Sequence, residues 1–372
     1  MANSKRKFNL RIVLVITLLL AIVLVLTSCV KGLAPSGWSG ATISNGTIYA
    51  GSKEGRLVAI DLKSGTLRWS DALKSTGSGS LAIYGTPALD TVPVLGNLVY
   101  IAGYNGKVFA YDAASLQQRW AFPVDSNLKP IVSAVITAGA NVYFGDTDGN
   151  VYALDAATGG LIWKFSSGGE IWGSPLVDAN TVFIGSFDKK VYAIDATSGL
   201  EKWKFSMQAN TVSTPIALNG VVYIGSLDRN LYAINEANGQ LMWKYTGGSW
   251  FWAKPVAVNG IIYAPCLDNK IYALEASTGH LEATYDVQGQ VASWPVAVND
   301  AVIVATENGN LWRLDTTNPA ASPRIIASIP LGVTAPLAIN GDVVYVNGPD
   351  DYLYAINSVT GEKFPPVSLK YS

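Results

Sequence analysis

The chain has one histidine and two cysteines among 372 residues, and only 14% of its residues are charged. Each scarcity excludes something. Nucleic-acid binders carry a concentrated basic face, whereas here 26 Lys and Arg stand against 27 Asp and Glu. The four early basic residues, Lys5, Arg6, Lys7 and Arg11, all precede Cys29, which leaves 22 basic against 27 acidic residues beyond it. There is no vicinal cysteine pair, and the single histidine, His280, sits in a "STGH" turn, so no Cys/His metal set can be assembled. A G-x-S-x-G elbow, a Walker loop and a haem-attachment motif are absent as well. What is abundant belongs to short strands and turns: 36 Gly, 11 Trp and 49% hydrophobic residues.

The one long apolar run, "IVLVITLLLAIVLVL" (Ile12–Leu26), follows the basic "KRKFNLR" and runs into Leu26-Thr27-Ser28-Cys29. It has the length of a signal-peptide core and is short for a spanning helix, which needs about 20 residues. Its ending resembles the bacterial lipobox, in which the Cys is diacylated and becomes the first mature residue. The expectation is a lipoprotein signal peptide over 1–28, lipidation at Cys29 and a tether over 29–37. The protein then lies outside the cytoplasm, on the periplasmic face of the outer membrane or the outer face of the cytoplasmic membrane. An uncleaved anchor is the alternative. Cys266 would be the sole remaining thiol, so no internal disulfide could form, and its apolar strand context marks it as buried and structural.

From there the chain repeats. "LVAIDLKSGTLRW" (57–69), "VFAYDAASLQQRW" (108–120), "VYALDAATGGLIW" (151–163), "VYAIDATSGLEKW" (191–203) and "LYAINEANGQLMW" (231–243) are five of eight copies. The others, "IYALEASTGHLEA" (271–283), "LWRLDTTNPAASP" (311–323) and "LYAINSVTGEKFP" (353–365), keep the register and lose the Trp. Each unit of about 40 residues reads as four short strands rich in β-branched and aromatic residues and punctuated by Gly, Asn or Asp. That period predicts an all-β fold, an eight-bladed propeller of four-stranded antiparallel blades over 38–372. "EKFPPVSL" is a poor outer strand for the last blade, because prolines fit only at an edge. The stretch around Ala34–Trp38 is the expected source of a shared closing strand.

"ALDAATGGLIW" and "AIDATSGLEKW" resemble the tryptophan-docking motif A-x-D-x-x-[TS]-G-x-x-x-W of the pyrroloquinoline-quinone (PQQ) type propellers. The resemblance runs from about residue 38 to 364. It implies that Trp69, Trp120, Trp163, Trp203 and Trp243 dock between the outer strands of adjacent blades. Asp155, Asp195 and Asp315 shape the turns between third and fourth strands. The motif's loss after the fifth unit, with Ala283 in place of Trp, predicts weaker docking there.

Function belongs to what does not repeat. Turns between first and second strands are short and uniform. The blade connections "SGGEIWG", "TGGSWFWA" and "VQGQVAS" vary; aligned on the strand that follows, they and the stretch before the first blade place Trp38, Trp172, Trp250, Phe251, Trp252 and Trp294 with Glu170 and Lys254 near the entrance to the innermost strands. These side chains either fill the funnel as core or form a partner-binding surface. Asp148, Asp188, Asp228 and Asp268 recur in the turns between second and third strands, where turn chemistry accounts for them and no metal site is expected.

PQQ-dependent dehydrogenases share the repeat, but the vicinal cysteines and ligand residues of their sites have no counterpart in this sequence, so no enzyme activity and no cofactor are expected. A PQQ-binding quinoprotein and an exported ligand- or glycan-binding propeller are the alternatives. Within the repeat family the chain is most similar to the propeller lipoproteins of the barrel-assembly machinery. That implies a scaffold, monomeric as a domain, held to a membrane by its lipidated Cys and meeting barrel-assembly partners on the variable face. Val30 and Lys31 place no acidic residue after the Cys.

Overall fold

The computed structural model describes residues 39–73 and 82–371. Cys29, Trp38, the signal segment and the tether lie outside the described residues. Among the described residues there are eight antiparallel sheets of four strands, each sheet using its strands in chain order. The result is an eight-bladed β-propeller.

The fourth blade shows how the sequence makes one. Its strands are Leu176–Asp178, Thr181–Gly185, Lys190–Asp195 and Glu201–Ser206. The second strand is buried throughout and the third along all but its ends. A strand covered by neighbouring blades on both faces must be apolar on both, which is why "TVFIG" and "VYAI" do not alternate. The outer strand does alternate, with Trp203 and Phe205 turned inward between exposed Lys202, Lys204 and Ser206. First strands of neighbouring blades touch one another, as Leu176–Asp178 does Ile216–Leu218, so they surround the central axis. The hairpins that follow them use paired left-handed residues, Asn219 (φ 52°) with Gly220 (φ 77°) and Asn259 (φ 50°) with Gly260 (φ 79°), the turn that matches strand twist.

The docking motif acts across each blade boundary. The indole N–H groups of Trp120, Trp163, Trp203 and Trp243 donate to the carbonyls of Ala156, Ala196, Glu236 and Ala276 in the following blade, at 3.0, 2.9, 2.8 and 2.9 Å. The motif aspartate holds the receiving turn: Asp195 Oδ1 accepts from the backbone N–H groups of Thr197 and Ser198, at 3.1 and 2.9 Å.

Trp69 departs from this scheme. In the third blade a bulge after Ala153 sets Trp163 opposite Ala153. The first blade has no bulge, so Trp69 pairs with Val58 and Arg68 takes the place opposite Ala59. A one-residue slip sends a side chain to the other sheet face. Trp69 accordingly packs with the core shared by the first and last blades and meets Tyr371 edge-on, ring centres 5.7 Å apart. Its indole N–H has no partner. The second blade carries Leu116 where six of the other seven motifs carry Gly, in the same left-handed conformation (φ 56°). Leu116 is buried against Tyr49, Leu57 and Ala59 of the first blade, so the space that a docking Trp uses elsewhere is filled from the other side.

The ring closes between the first and last blades. The last blade draws its outer strand from Val367–Ser368, paired with Tyr352 and Leu353, while Lys363 bridges to Ile356 on the other side of Pro365 and Pro366. The four described strands of that blade come from the chain's last unit, and the stretch around Ala34–Trp38, the expected source of a shared closing strand, lies outside the described residues. The first strand Ala41–Ser44 touches Ala338–Asn340. Polar contacts fasten this seam: Asn347 Nδ2 donates to the carbonyls of Ser39 and Gly51, at 2.9 and 3.2 Å, and the Lys53 N–H donates to Asp351 Oδ1 at 3.2 Å.

Candidate partner-binding site at the channel mouth

The N–H groups of Phe187, Leu227 and Leu267 donate to the carbonyls of Glu170, Asn210 and Trp250. These bonds join each turn between second and third strands to the preceding blade connection, so the variable segments share one face. Tyrosines stiffen it from below. The hydroxyls of Tyr232 and Tyr272 donate to Asp228 and Asp268 at 2.7 and 2.6 Å, and Tyr192 bonds Asp188 in the same way. In the third blade the acceptor is the buried Asp146, at 2.9 Å from the Tyr152 hydroxyl, and not Asp148. Burial tends to raise the Asp228 pKa, but the Tyr232 and Asn230 hydrogen bonds outweigh it and hold the carboxyl below its ordinary value. Among the described residues no cluster of acidic, His or Cys side chains could hold a metal ion.

The blade entrances share a five-residue pattern, Ile171-Trp172-Gly173-Ser174-Pro175 in the fourth blade and Phe251-Trp252-Ala253-Lys254-Pro255 in the sixth. Extended chain alternates its side chains, and the structure sorts the positions accordingly. First positions plug the core: Ile171, Phe251 and Val291 are buried. Third positions are small because the next blade's backbone is close; a Cβ on Gly173 would stand 2.6 Å from the Ser213 carbonyl oxygen. Second and fourth positions surround the axis and, with Leu267 and Glu307, line a partly open cavity of about 280 Å³. Second positions contribute Tyr84, Trp172 and Trp252, and fourth positions contribute Thr86, Ser174, Thr214 and Trp294.

The structure thus brings Trp172, Trp252 and Trp294 together at the channel mouth. Trp172 is held from both sides: its indole N–H donates to Glu170 Oε2 at 2.7 Å, and its ring stacks on Phe187 at 5.2 Å. The Lys254 ammonium lies over the Trp294 ring, 5.6 Å from its centre, and burial pulls its pKa below the ordinary lysine value. Trp250 is 46% exposed on the same face and stands outside the cavity. Phe251 is 1% exposed and packs between Tyr272 and the backbone of Gly225. It belongs to the blade core, where no partner can reach it, and this corrects its place in the sequence-derived cluster. Aromatic content alone cannot separate Phe251 from its neighbours; the alternation of an extended chain does. The cavity also includes Tyr84 and Thr86, which the aromatic cluster omitted although "IYGTP" (83–87) repeats "IWGSP" (171–175) position by position.

A family model described as outer membrane protein assembly factor BamB matches residues 31–165 and 246–362. Three curated proteins match shorter stretches. The quinohemoprotein alcohol dehydrogenase ADH-IIG of Pseudomonas putida is 36% identical over 95 residues, 24% of this chain and 13% of that protein. The outer membrane protein assembly factors BamB of Kangiella koreensis and Nitrosomonas eutropha are 29% and 26% identical over 92 and 94 residues. Those matches cover 24% and 25% of this chain and 24% and 23% of the relatives' lengths. Among solved structures, BamB from Moraxella catarrhalis superposes with a TM-score of 0.69 at 18% identity, covering 85% of this chain and 93% of that one. The computationally designed Ika8 protein does so with 0.70 at 17%, covering 85% and 94%. At such identities the superpositions speak for the fold.

Proposed function

This chain belongs to the outer membrane protein assembly factor BamB family, and from that membership we propose that it is a non-enzymatic scaffold for outer-membrane protein assembly. It works outside the cytoplasm, anchored through a lipid on Cys29, and its partners are components of the barrel-assembly apparatus. They dock on the variable face around Trp172, Trp250, Trp252 and Trp294. The observation that carries this reading is the inequality of the two faces. One consists of near-identical hairpin turns, while the other concentrates non-repeating aromatic side chains around a hollow, with Trp250 exposed beside it. Large aromatic residues in such settings dominate binding energy at protein interfaces.

Replacing Trp250 by a photo-crosslinking residue and irradiating intact envelopes tests it. The expected adduct contains a barrel-assembly component. Adducts without one, together with none in affinity purifications from detergent-solubilised envelope, overturn the reading. Cys29→Ala should abolish metabolic labelling with palmitate and release the protein from the membrane fraction.

The similarity to a quinohemoprotein dehydrogenase favours a second reading, PQQ binding, which the side chains serve poorly. PQQ carries three carboxylates, whereas among the described residues no arginine or lysine lines the central cavity, and the Lys254 ammonium lies over the Trp294 ring. Anaerobic PQQ titration with calcium tests this, and saturable binding would restore the quinoprotein reading.

A further inference from the structure

We infer that the central cavity binds a quaternary ammonium group of the kind choline carries, with the Trp172 and Trp252 indoles as its walls and Glu307 as its counter-charge. The site stands on its own geometry and not on the assembly role proposed above.

Walls and charge agree in sign. Four of the residues lining the cavity are aromatic, Tyr84, Trp172, Trp252 and Trp294, and among the described residues Glu307 is the one charged member of the lining. Aromatic faces carry the negative part of the ring quadrupole and attract cations, Trp most strongly. Glu307 is exposed and forms no ion pair among the described residues. Its backbone is fixed: the N–H donates to the Gln290 carbonyl at 2.9 Å, and a Cβ on Gly332 would collide with its carbonyl oxygen. A second carboxylate, Glu170, accepts the Trp172 indole N–H at 2.7 Å and brings negative charge to the edge of that ring. Phe187 stacks on the same ring at 5.2 Å, so the wall is in place before a guest arrives.

The remaining lining decides which kind of cation. Val132, Val212 and Leu267 offer no acceptor. Ser174 Oγ already accepts the Ala134 N–H at 2.8 Å, and Thr214 Oγ1 the Ser174 N–H at 2.9 Å. A primary ammonium has three N–H donors and is strongly hydrated, and here it would give up water for few acceptors. A trimethylated nitrogen donates nothing and spreads its charge over methyl groups, which pack on indole and aliphatic walls alike. The partly open cavity of about 280 Å³ accommodates such a head group and leaves a way out for whatever carries it. The Thr86 hydroxyl lines the wall, buried with no hydrogen-bond partner, and its proton suits the oxygen that choline bears.

One cation works against the guest. Lys254 stands two residues beyond Trp252, about 7 Å further along extended chain, and is not among the lining residues. Its ammonium engages the Trp294 ring, 5.6 Å from the centre, which leaves Tyr84, Trp172 and Trp252 for the bound cation. Removing that charge should therefore help binding and never be required for it.

Calorimetric titration of the detergent-solubilised full chain with choline, ethanolamine and 3,3-dimethylbutan-1-ol, the uncharged isostere of choline, tests the site. Choline should bind one to one, about tenfold or more tighter than either comparator. Glu307→Gln and Trp252→Leu should each lower choline's advantage over the isostere by about threefold or more, and Lys254→Met should leave choline binding unchanged or tighter. Phosphocholine identifies the source: an affinity like choline's assigns the site to a head group on a phosphodiester, and its exclusion assigns the site to the free ion. Equal affinity for choline and its isostere overturns the assignment. So do absence of choline binding at millimolar concentration, tighter binding of ethanolamine, an advantage that survives both Glu307→Gln and Trp252→Leu, and loss of choline binding in Lys254→Met. Crosslinking from Trp250 is independent of these titrations, so failure here with assembly adducts intact removes the ammonium site alone.

Discussion

Gly199 lies directly under the indole of Trp163 from the preceding blade: a Cβ at that position would stand 2.7 Å from the ring's Cγ. The same residue has φ +73°. The motif glycine thus has two jobs, turning the chain and leaving room for its neighbour's ring. Gly220 has nearly the same φ (+77°) with nothing within 4 Å. Gly220→Ala should cost about 1 kcal/mol for the left-handed backbone alone. Gly199→Ala should cost about 2 to 4 kcal/mol, because the ring must also move. Urea denaturation of the two variants measures the difference.

Trp163 and Trp69 occupy the same motif position and should respond differently. Trp163→Phe removes the donor to the Ala196 carbonyl and should cost about 1 to 2 kcal/mol. Trp69→Phe removes an N–H that bonds to nothing and should change stability by less than about 0.5 kcal/mol. Tyr371→Ala strips the ring that packs on Trp69 and lies under the Arg56 guanidinium, 4.0 Å from its centre. It should speed proteolysis at the ring seam before it affects other blades, read by mass spectrometry of early fragments.

Trp250 and Phe251 are adjacent and should separate cleanly. Trp250→Ala should leave the thermal midpoint within about a degree, as for a surface substitution, while weakening capture of assembly partners. Phe251→Ala should cost about 3 to 5 kcal/mol. A stable Phe251→Ala variant with impaired capture would return Phe251 to the binding surface.

The tyrosine–aspartate bonds give the blades an acid limit. Asp228 has a folded pKa below its unfolded value despite its burial, because Tyr232 and Asn230 bond the ionised form. Its contribution is therefore complete above the unfolded pKa, near 3.9, and disappears as pH falls through the lower folded value. Tyr232→Phe should be destabilising at pH 7, and its penalty should shrink at pH 3. Denaturant midpoints at the two pH values check this, and an equal penalty at both would contradict it.

Cys266 should be inert. It is fully buried, and burial pushes its pKa up to about 12, so hardly any thiolate exists at neutral pH. Iodoacetamide at pH 8 should leave the native protein unlabelled and react once urea unfolds it.

The sequence by itself determined the repeat and, through it, nearly the whole architecture. A blade's hydrogen bonds, turns and alternation are local, so eight approximate copies at a near-constant interval leave one architecture consistent with them. The docking partners of Trp120, Trp163, Trp203 and Trp243 were legible for the same reason. Each indole reaches a carbonyl that lies one repeat further on, and a regular period places it there.

Where one blade departs from its neighbours, only the tertiary structure decided. The spacing from Ala59 to Trp69 equals that from Ala153 to Trp163, yet a missing bulge reverses the Trp, and Leu116 in the facing blade holds the space it leaves. In the last blade Val367–Ser368 pair as the outer strand despite the two prolines before them, because pairing resumes beyond an interruption that the sequence alone marks as a break. The channel site is similar. Tyr84, Trp172, Trp252 and Trp294 come from separate blades, up to 210 residues apart in sequence, and share a cavity only because the ring brings equivalent positions to one axis. Residue type could nominate Phe251 alongside them, but the direction of a side chain on an extended backbone, inward to the blade or inward to the channel, is a property of the assembled ring.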